Sequence, residues 1–154
     1  MNFSEAVEII LEHEGDYTNN PKDPGGETRY GISKRAYPTV DIRALTKMQA
    51  VAIYKADFWD KLRIGEMPAD IRLSFFDCAV NQGPHAAATW LQQCALVDVD
   101  GVIGPKTLEA LAECDVGRLR AKFFIRRMRG YIEAKGWPTF GKGWAMRLLK
   151  VALA

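Results

Sequence analysis

The chain, 154 residues long, is poor in the residues on which several common chemistries depend. It has two histidines, His13 and His85, and no His-Glu-x-x-His run. Catalytic zinc ordinarily takes three protein ligands from His, Cys or carboxylate, so a zinc amidase or peptidase has little support, and no metal or organic cofactor is implied. Three cysteines, Cys78, Cys94 and Cys114, are too few and too scattered for a disulfide framework. They read as buried thiols of a protein made in a reducing compartment. No apolar run is long enough to span a bilayer, and the first residues lack the basic start and apolar stretch of a secretory signal. The expectation is cytoplasmic synthesis without a signal peptide. No internal repeat, low-complexity tract or interdomain linker is visible.

What is present fits one compact unit with a substantial core: 48% hydrophobic and 26% charged residues are ordinary for a globular chain. The net charge of +2 is unevenly distributed. Residues 1–115 carry 11 basic and 18 acidic side chains, whereas residues 116–154 carry 10 basic and one acidic. Arg118, Arg120, Lys122, Arg126, Arg127 and Arg129 form the dense part. A basic face suits an anionic polymer, either cell-wall material or nucleic acid; a solvated helix face is the plain alternative.

The periodicity predicts a mainly helical protein. A first helix starts at Asn2, with Glu5 completing a capping box, and carries Phe3, Ala6, Val7, Ile10 and Leu11 as its apolar stripe. Residues 15–44 are rich in Gly, Pro, Asn and Asp and read as a long loop or small β-hairpin. Thr46 and Gln49 form a second capping box, flanked by Leu45 and Ala50, and open a helix with Met48, Val51, Ala52, Phe58 and Trp59 toward the core. Residues 69–82 are apolar nearly all round, the mark of a buried helix, interrupted by Asp77 and Asn81 one turn apart. A helix over about 85–96 follows, and Pro105 takes the first position of another. The run Asp98-Val99-Asp100-Gly101 is not a calcium loop, because its Gly falls too early and no Glu closes it. The last long helix covers about 116–135, with Phe124, Met128, Tyr131 and Ile132 as its stripe.

Glu14 stands out. It is the next member of the apolar row of the first helix and precedes Gly15, a plausible helix stop. A carboxyl set against apolar side chains at the negative end of a helix dipole is expected to hold its proton more tightly, as a general acid requires. A helix-end Glu reaching solvent is the alternative.

The segment Glu14-Gly15-Asp16-Tyr17, followed by Asp23-Pro24-Gly25-Gly26, Thr28 and Tyr30-Gly31-Ile32, resembles the signature of the glycoside hydrolase family 108 muramidases, whose motif is usually Glu-Gly-Gly-Tyr. Asp16 departs from it. The resemblance implies that Glu14 is the catalytic acid. It also implies Asp23, with eight residues between it and Glu14, as the second catalytic carboxylate, Thr28 as a positioner of water, and Tyr30 as a lining of the cleft. Glu27 is a rival second carboxylate, and Asp23, Thr28 and Tyr30 also fit turn or strand roles.

Phe76-Asp77-Cys78-Ala79-Val80-Asn81-Gln82-Gly83-Pro84 and Phe140-Gly141-Lys142-Gly143-Trp144-Ala145-Met146-Arg147 are also similar to this family. Asp77 reads as structural, and Asn81 as either a satisfied buried amide or a substrate contact. The pattern Asp100-Gly101-x-x-Gly104-Pro105-x-Thr107 is similar to one in peptidoglycan-binding segments that accompany the family. The implied organisation is a lysozyme-like catalytic portion, 1–88, and a helical peptidoglycan-binding-like portion, 89–154, packed as one unit.

The implied function is cleavage of the β-1,4 bond between N-acetylmuramic acid and N-acetylglucosamine by an endolysin-like, prophage-associated bacteriolytic enzyme. Peptidoglycan glycan strands are the partner, reached after release or export. The alternatives are a lytic transglycosylase using Glu14 alone and a non-catalytic wall-binding or secretion-assisting protein on the same scaffold. Nucleic-acid binding through the basic helix has no recognised motif behind it.

Overall fold

The structure, a computed structural model, describes residues 1–19 and 26–154. Helix α1 (Phe3–His13) starts at the Asn2 cap. The Glu5 amide donates to Asn2 Oδ1 at 3.0 Å and the Asn2 amide to Glu5 Oε2 at 2.8 Å, so two amides that the helix leaves unpaired are satisfied reciprocally. Its buried face is Ala6, Val7, Ile10 and Leu11. The chain then passes to a two-stranded antiparallel hairpin, β1 (Thr28–Arg29) and β2 (Ile32–Ser33), with Arg29 opposite Ile32. The turn residues Tyr30 and Gly31 both have positive φ, 51° and 75°, as a tight two-residue hairpin turn requires.

Helix α2 (Lys47–Tyr54) opens with the Thr46–Gln49 capping box and runs directly into a π-helical turn, Lys55–Asp60. Here the structure departs from the expected core. Ala50, Tyr54 and Trp59 are buried, Phe58 is half-buried, and Met48 and Ala52 face solvent. Met48 and Ala52 lie in α2 ahead of the π turn; the row of α2 that packs inward is Ala50 and Tyr54, spaced by four, so the face expected from sequence is a neighbouring one.

Helix α3 (Ala69–Gln82) is the central element and packs against α1, α4 (Pro84–Ala95), α6 (Val116–Glu133) and α7 (Trp137–Leu153). Phe76 on α3 meets Trp59 and Tyr54 edge-on, with ring centroids 5.5 and 6.1 Å away, and Phe3 of α1 meets Trp59 at 5.4 Å. Each such pair adds about 0.5–1.5 kcal/mol beyond simple area burial. Cys78 lies inside α3's packed face, and burial pushes its thiol up to about 12; all three cysteines are free thiols.

Helix α5 (Pro105–Glu113) begins at Pro105. The loop before it is organised by Gln92, fully buried on α4. Gln92 Nε2 donates to Asp100 Oδ1 at 2.7 Å and to the Val102 carbonyl at 2.9 Å, and its Oε1 accepts from the Gly101 amide at 2.9 Å.

Two expectations for the C-terminal third are corrected. The buried row of α6 is Leu119, Phe123, Arg127 and Tyr131, spaced by four; Ile132 is exposed, and Phe124 and Met128 are only half-buried. The segment after residue 136, rich in Gly, is a full helix, α7. Gly141 is buried there because the Trp137 indole lies where its Cβ would be, 2.6 Å from that position, so packing outweighs low helix propensity. No helix among the described residues is long and apolar enough to cross a membrane.

Candidate functional site

Glu14 caps the C-terminus of α1 with extended backbone angles, and its amide closes the last helical hydrogen bond onto Ile10. Its side chain therefore leaves the helix instead of continuing the apolar row. It is 19% exposed, and its surroundings are not the wholly apolar ones expected: Arg147 Nη1 on α7 donates to Glu14 Oε1 at 2.7 Å.

The hairpin closes the other side. The Tyr30 amide donates to the Gly15 carbonyl at 3.2 Å, tying the turn to the residue after Glu14. Tyr54 of α2 donates its hydroxyl to the Tyr30 carbonyl at 2.9 Å. Burial, and then the neighbouring Glu14 charge, push that hydroxyl above the ordinary tyrosine range, so it stays a donor. Gly31 completes the contact: a Cβ there would lie 2.8 Å from Glu14 Oε2 and 2.4 Å from Tyr54 Oη.

Behind Arg147 stands a buried ionic network. Arg147 Nε donates to Asp77 Oδ1 at 2.8 Å, and Arg127 Nη2 donates to Asp77 Oδ2 at 2.6 Å; Asp77 and Arg127 are both fully buried. Arg127 also reaches Gln82 Oε1 at 3.0 Å and the Ser74 carbonyl at 3.1 Å. Burial alone would lower the proton affinity of Arg127, but the adjoining Cys78, Asp77 and Tyr131 side chains together hold it above the ordinary arginine value; for Arg147, Asp77 and Glu14 do the same. Arg127, assigned by sequence to an exposed basic face, is thus an interior residue. The sequence holds one signal for it, the spacing of four with Leu119, Phe123 and Tyr131.

The site residues expected from sequence are distributed unevenly. Glu14 and Tyr30 line one depression of about 280 Å³, together with Leu11, Asp16 and Lys47. Asn81 lines a second, about 320 Å³, with His13, Trp144, Arg147 and Lys150, and its Oδ1 accepts from the Tyr131 hydroxyl at 2.6 Å. Arg147 touches both: it lines the second and holds the carboxylate of the first. Thr28 sits in β1, bridged through its backbone to Thr18, and its hydroxyl donates to the Gly26 carbonyl at 3.4 Å; it is not among the residues lining either depression. Asp23 lies outside the described residues. Its rival Glu27 accepts a hydrogen bond from the Tyr17 hydroxyl at 2.7 Å. Sequence reasoning missed Arg147 and Tyr54; the available hint for Arg147 was its place at spacing of four with the apolar Val151.

A larger concavity, about 920 Å³, is formed by other residues, among them the exposed Leu96 and Val102 and the polar Asp98 and Lys106. Among the described residues, no group of His, Cys, Asp or Glu is arranged to hold a metal ion.

Comparison with known proteins agrees with this architecture. Residues 7–83 match the family profile described as Glycosyl hydrolase 108, and residues 86–149 match one described as Predicted Peptidoglycan domain. The fold is similar to that in the structure of Brucella abortus SagA, with a TM-score of 0.89 and 34% sequence identity over 98% of this chain and 91% of that one. No match was found among curated proteins.

Proposed function

The chain belongs to the glycosyl hydrolase 108 family, and from that premise we propose that it is an N-acetylmuramidase that cleaves the β-1,4 bond between N-acetylmuramic acid and N-acetylglucosamine, with Glu14 as the general acid. The observation that carries this reading is the cage around Glu14. One oxygen is held by Arg147, the other lies against the Gly31 backbone beside Tyr54, and the carboxyl opens to a depression bordered by Tyr30. A fixed, mostly buried acid at the edge of a cleft suits protonation of a glycosidic leaving oxygen.

In this reading Asp23 supplies the second carboxylate, Thr28 positions water, and Tyr30 and Asn81 contact the glycan strand. Residues 1–88 carry the chemistry. Residues 89–154 face the wall polymer, consistent with the peptidoglycan profile over 86–149. Action on the wall of a bacterium follows release or export, as for an endolysin.

The test is mass spectrometry of purified peptidoglycan digested by the protein and by its Glu14→Gln variant. New reducing N-acetylmuramic acid ends are expected, reduced about 10²- to 10⁴-fold in the variant. Anhydro ends would assign a lytic transglycosylase instead. Wall binding without cleavage by the folded protein would leave a binding scaffold.

A further inference from the structure

The partner of Glu14 comes from the far end of the chain. Arg147 is 133 residues away in sequence, on α7, and lies within the segment matched by the peptidoglycan profile. Its side chain is only 11% exposed, and its guanidinium uses two different edges: Nη1 on Glu14 and Nε on Asp77. Asp77 cannot turn away, because its second oxygen is held by Arg127, itself fixed to the Ser74 carbonyl and Gln82. Orientation is thus handed from α6 to α3, to α7, and to the carboxyl at the end of α1. Only arginine suits the bridging position, since its planar fork presents donors to two carboxylates at once, whereas a lysine ammonium is a point charge on a flexible stem.

We propose that Arg147 is a positioning residue of the hydrolytic site, fixing the Glu14 carboxyl through the buried Asp77–Arg127 pair, so that the C-terminal segment completes the active site in addition to any contact it makes with the wall. The proposal rests on the reading of Glu14 as general acid. A catalytic carboxyl displaced by about 1 Å loses much of its effect, and without Arg147 nothing described on α7 holds it.

The experiment follows release of reducing ends from soluble peptidoglycan fragments over a range of fragment concentrations, using the full chain, Arg147→Met and Arg147→Lys, with thermal melting as a folding control. For Arg147→Met, kcat is expected to fall about 10- to 100-fold with KM changed less than about twofold. Arg147→Lys keeps the charge but not the fork, so its kcat falls as well, with KM near the wild-type value. A folded Arg147→Met with wild-type kcat, or one whose loss lies in KM alone, would overturn the proposal. If that variant does not fold, wild-type kcat in Arg147→Lys overturns it. Glu14→Gln separates the two levels: a wild type that cleaves no glycan, or a Glu14→Gln variant as active as wild type, removes the underlying reading whatever the Arg147 variants do.

Discussion

Gly31 and Glu14 touch in a way that permits no side chain between them. The hairpin turn brings the Gly31 Cα against the Glu14 carboxyl, and a Cβ would stand 2.8 Å from Glu14 Oε2 and 2.9 Å from its Cδ. The φ of 75° at Gly31 independently favours glycine. The turn thus fixes one wall of the candidate site by backbone alone, while the Tyr30 carbonyl is held by Tyr54.

Gly31→Ala should therefore injure both stability and turnover. Backbone strain and the close contact are expected to cost about 1–3 kcal/mol, read from urea denaturation. Displacement of Glu14 should lower kcat about 10-fold or more. Tyr54→Phe removes one of the two clashing groups, so the double variant should be less destabilised than the two single effects combined; strict additivity would show that Tyr54 is not what the new methyl meets.

Asp77→Asn leaves two guanidinium groups without their shared anion inside the protein. Breaking one partner of a buried pair costs about 3–5 kcal/mol, and a loss of that size is expected. In Asp77→Asn/Arg127→Met one of the stranded cations is gone and Arg147 still has Glu14, so part of the stability should return. A double variant less stable than Asp77→Asn alone would contradict this arrangement.

Gln92→Leu is expected to destabilise the protein by about 1–3 kcal/mol, because the Gly101 amide loses its acceptor and the loop ahead of α5 loses its tie. Hydrogen exchange should rise at Gly101 and Val102. Gln92→Glu should do worse than Leu, since it places a carboxylate against Asp100 Oδ1 where a donor stood.

The pH dependence of stability has a sign fixed by His13. Burial, and then Arg147, lower its proton affinity from the ordinary value of 6.5. The unfolded chain therefore binds the proton more readily, so the His13 contribution is intact above about pH 6.5 and is lost as pH falls below it. Between about pH 7.5 and about pH 5 the wild type should lose more melting temperature than His13→Gln. Equal losses would mean that His13 is not linked to folding.

Much of the scaffold was legible because its causes are local. The capping boxes at Asn2–Glu5 and Thr46–Gln49, the start at Pro105 and the span of α3 depend on residues within a turn of one another, and sequence exposes them directly. Met48 was misplaced because two apolar rows of α2 compete, and the one that packs, Ala50 and Tyr54, is selected by tertiary contact such as that of Tyr54 with Phe76. Helix α7 was missed because its glycines argue against helix locally; at Gly141 the reason for a glycine is the Trp137 indole packed against it, which only the folded chain shows.

By itself, then, the sequence determined the helical architecture, the hairpin after α1 and the candidacy of Glu14 and Tyr30, through short-range spacing and a family signature. The tertiary structure alone decided that Arg127 is interior and that Arg147 meets Glu14. A charged side chain is written the same way whether it faces water or a carboxylate, and the anion that makes burial tolerable, Asp77, lies 50 residues from Arg127 and 70 from Arg147. Pairing at that range is a property of how α3, α6 and α7 pack, and no local pattern encodes it.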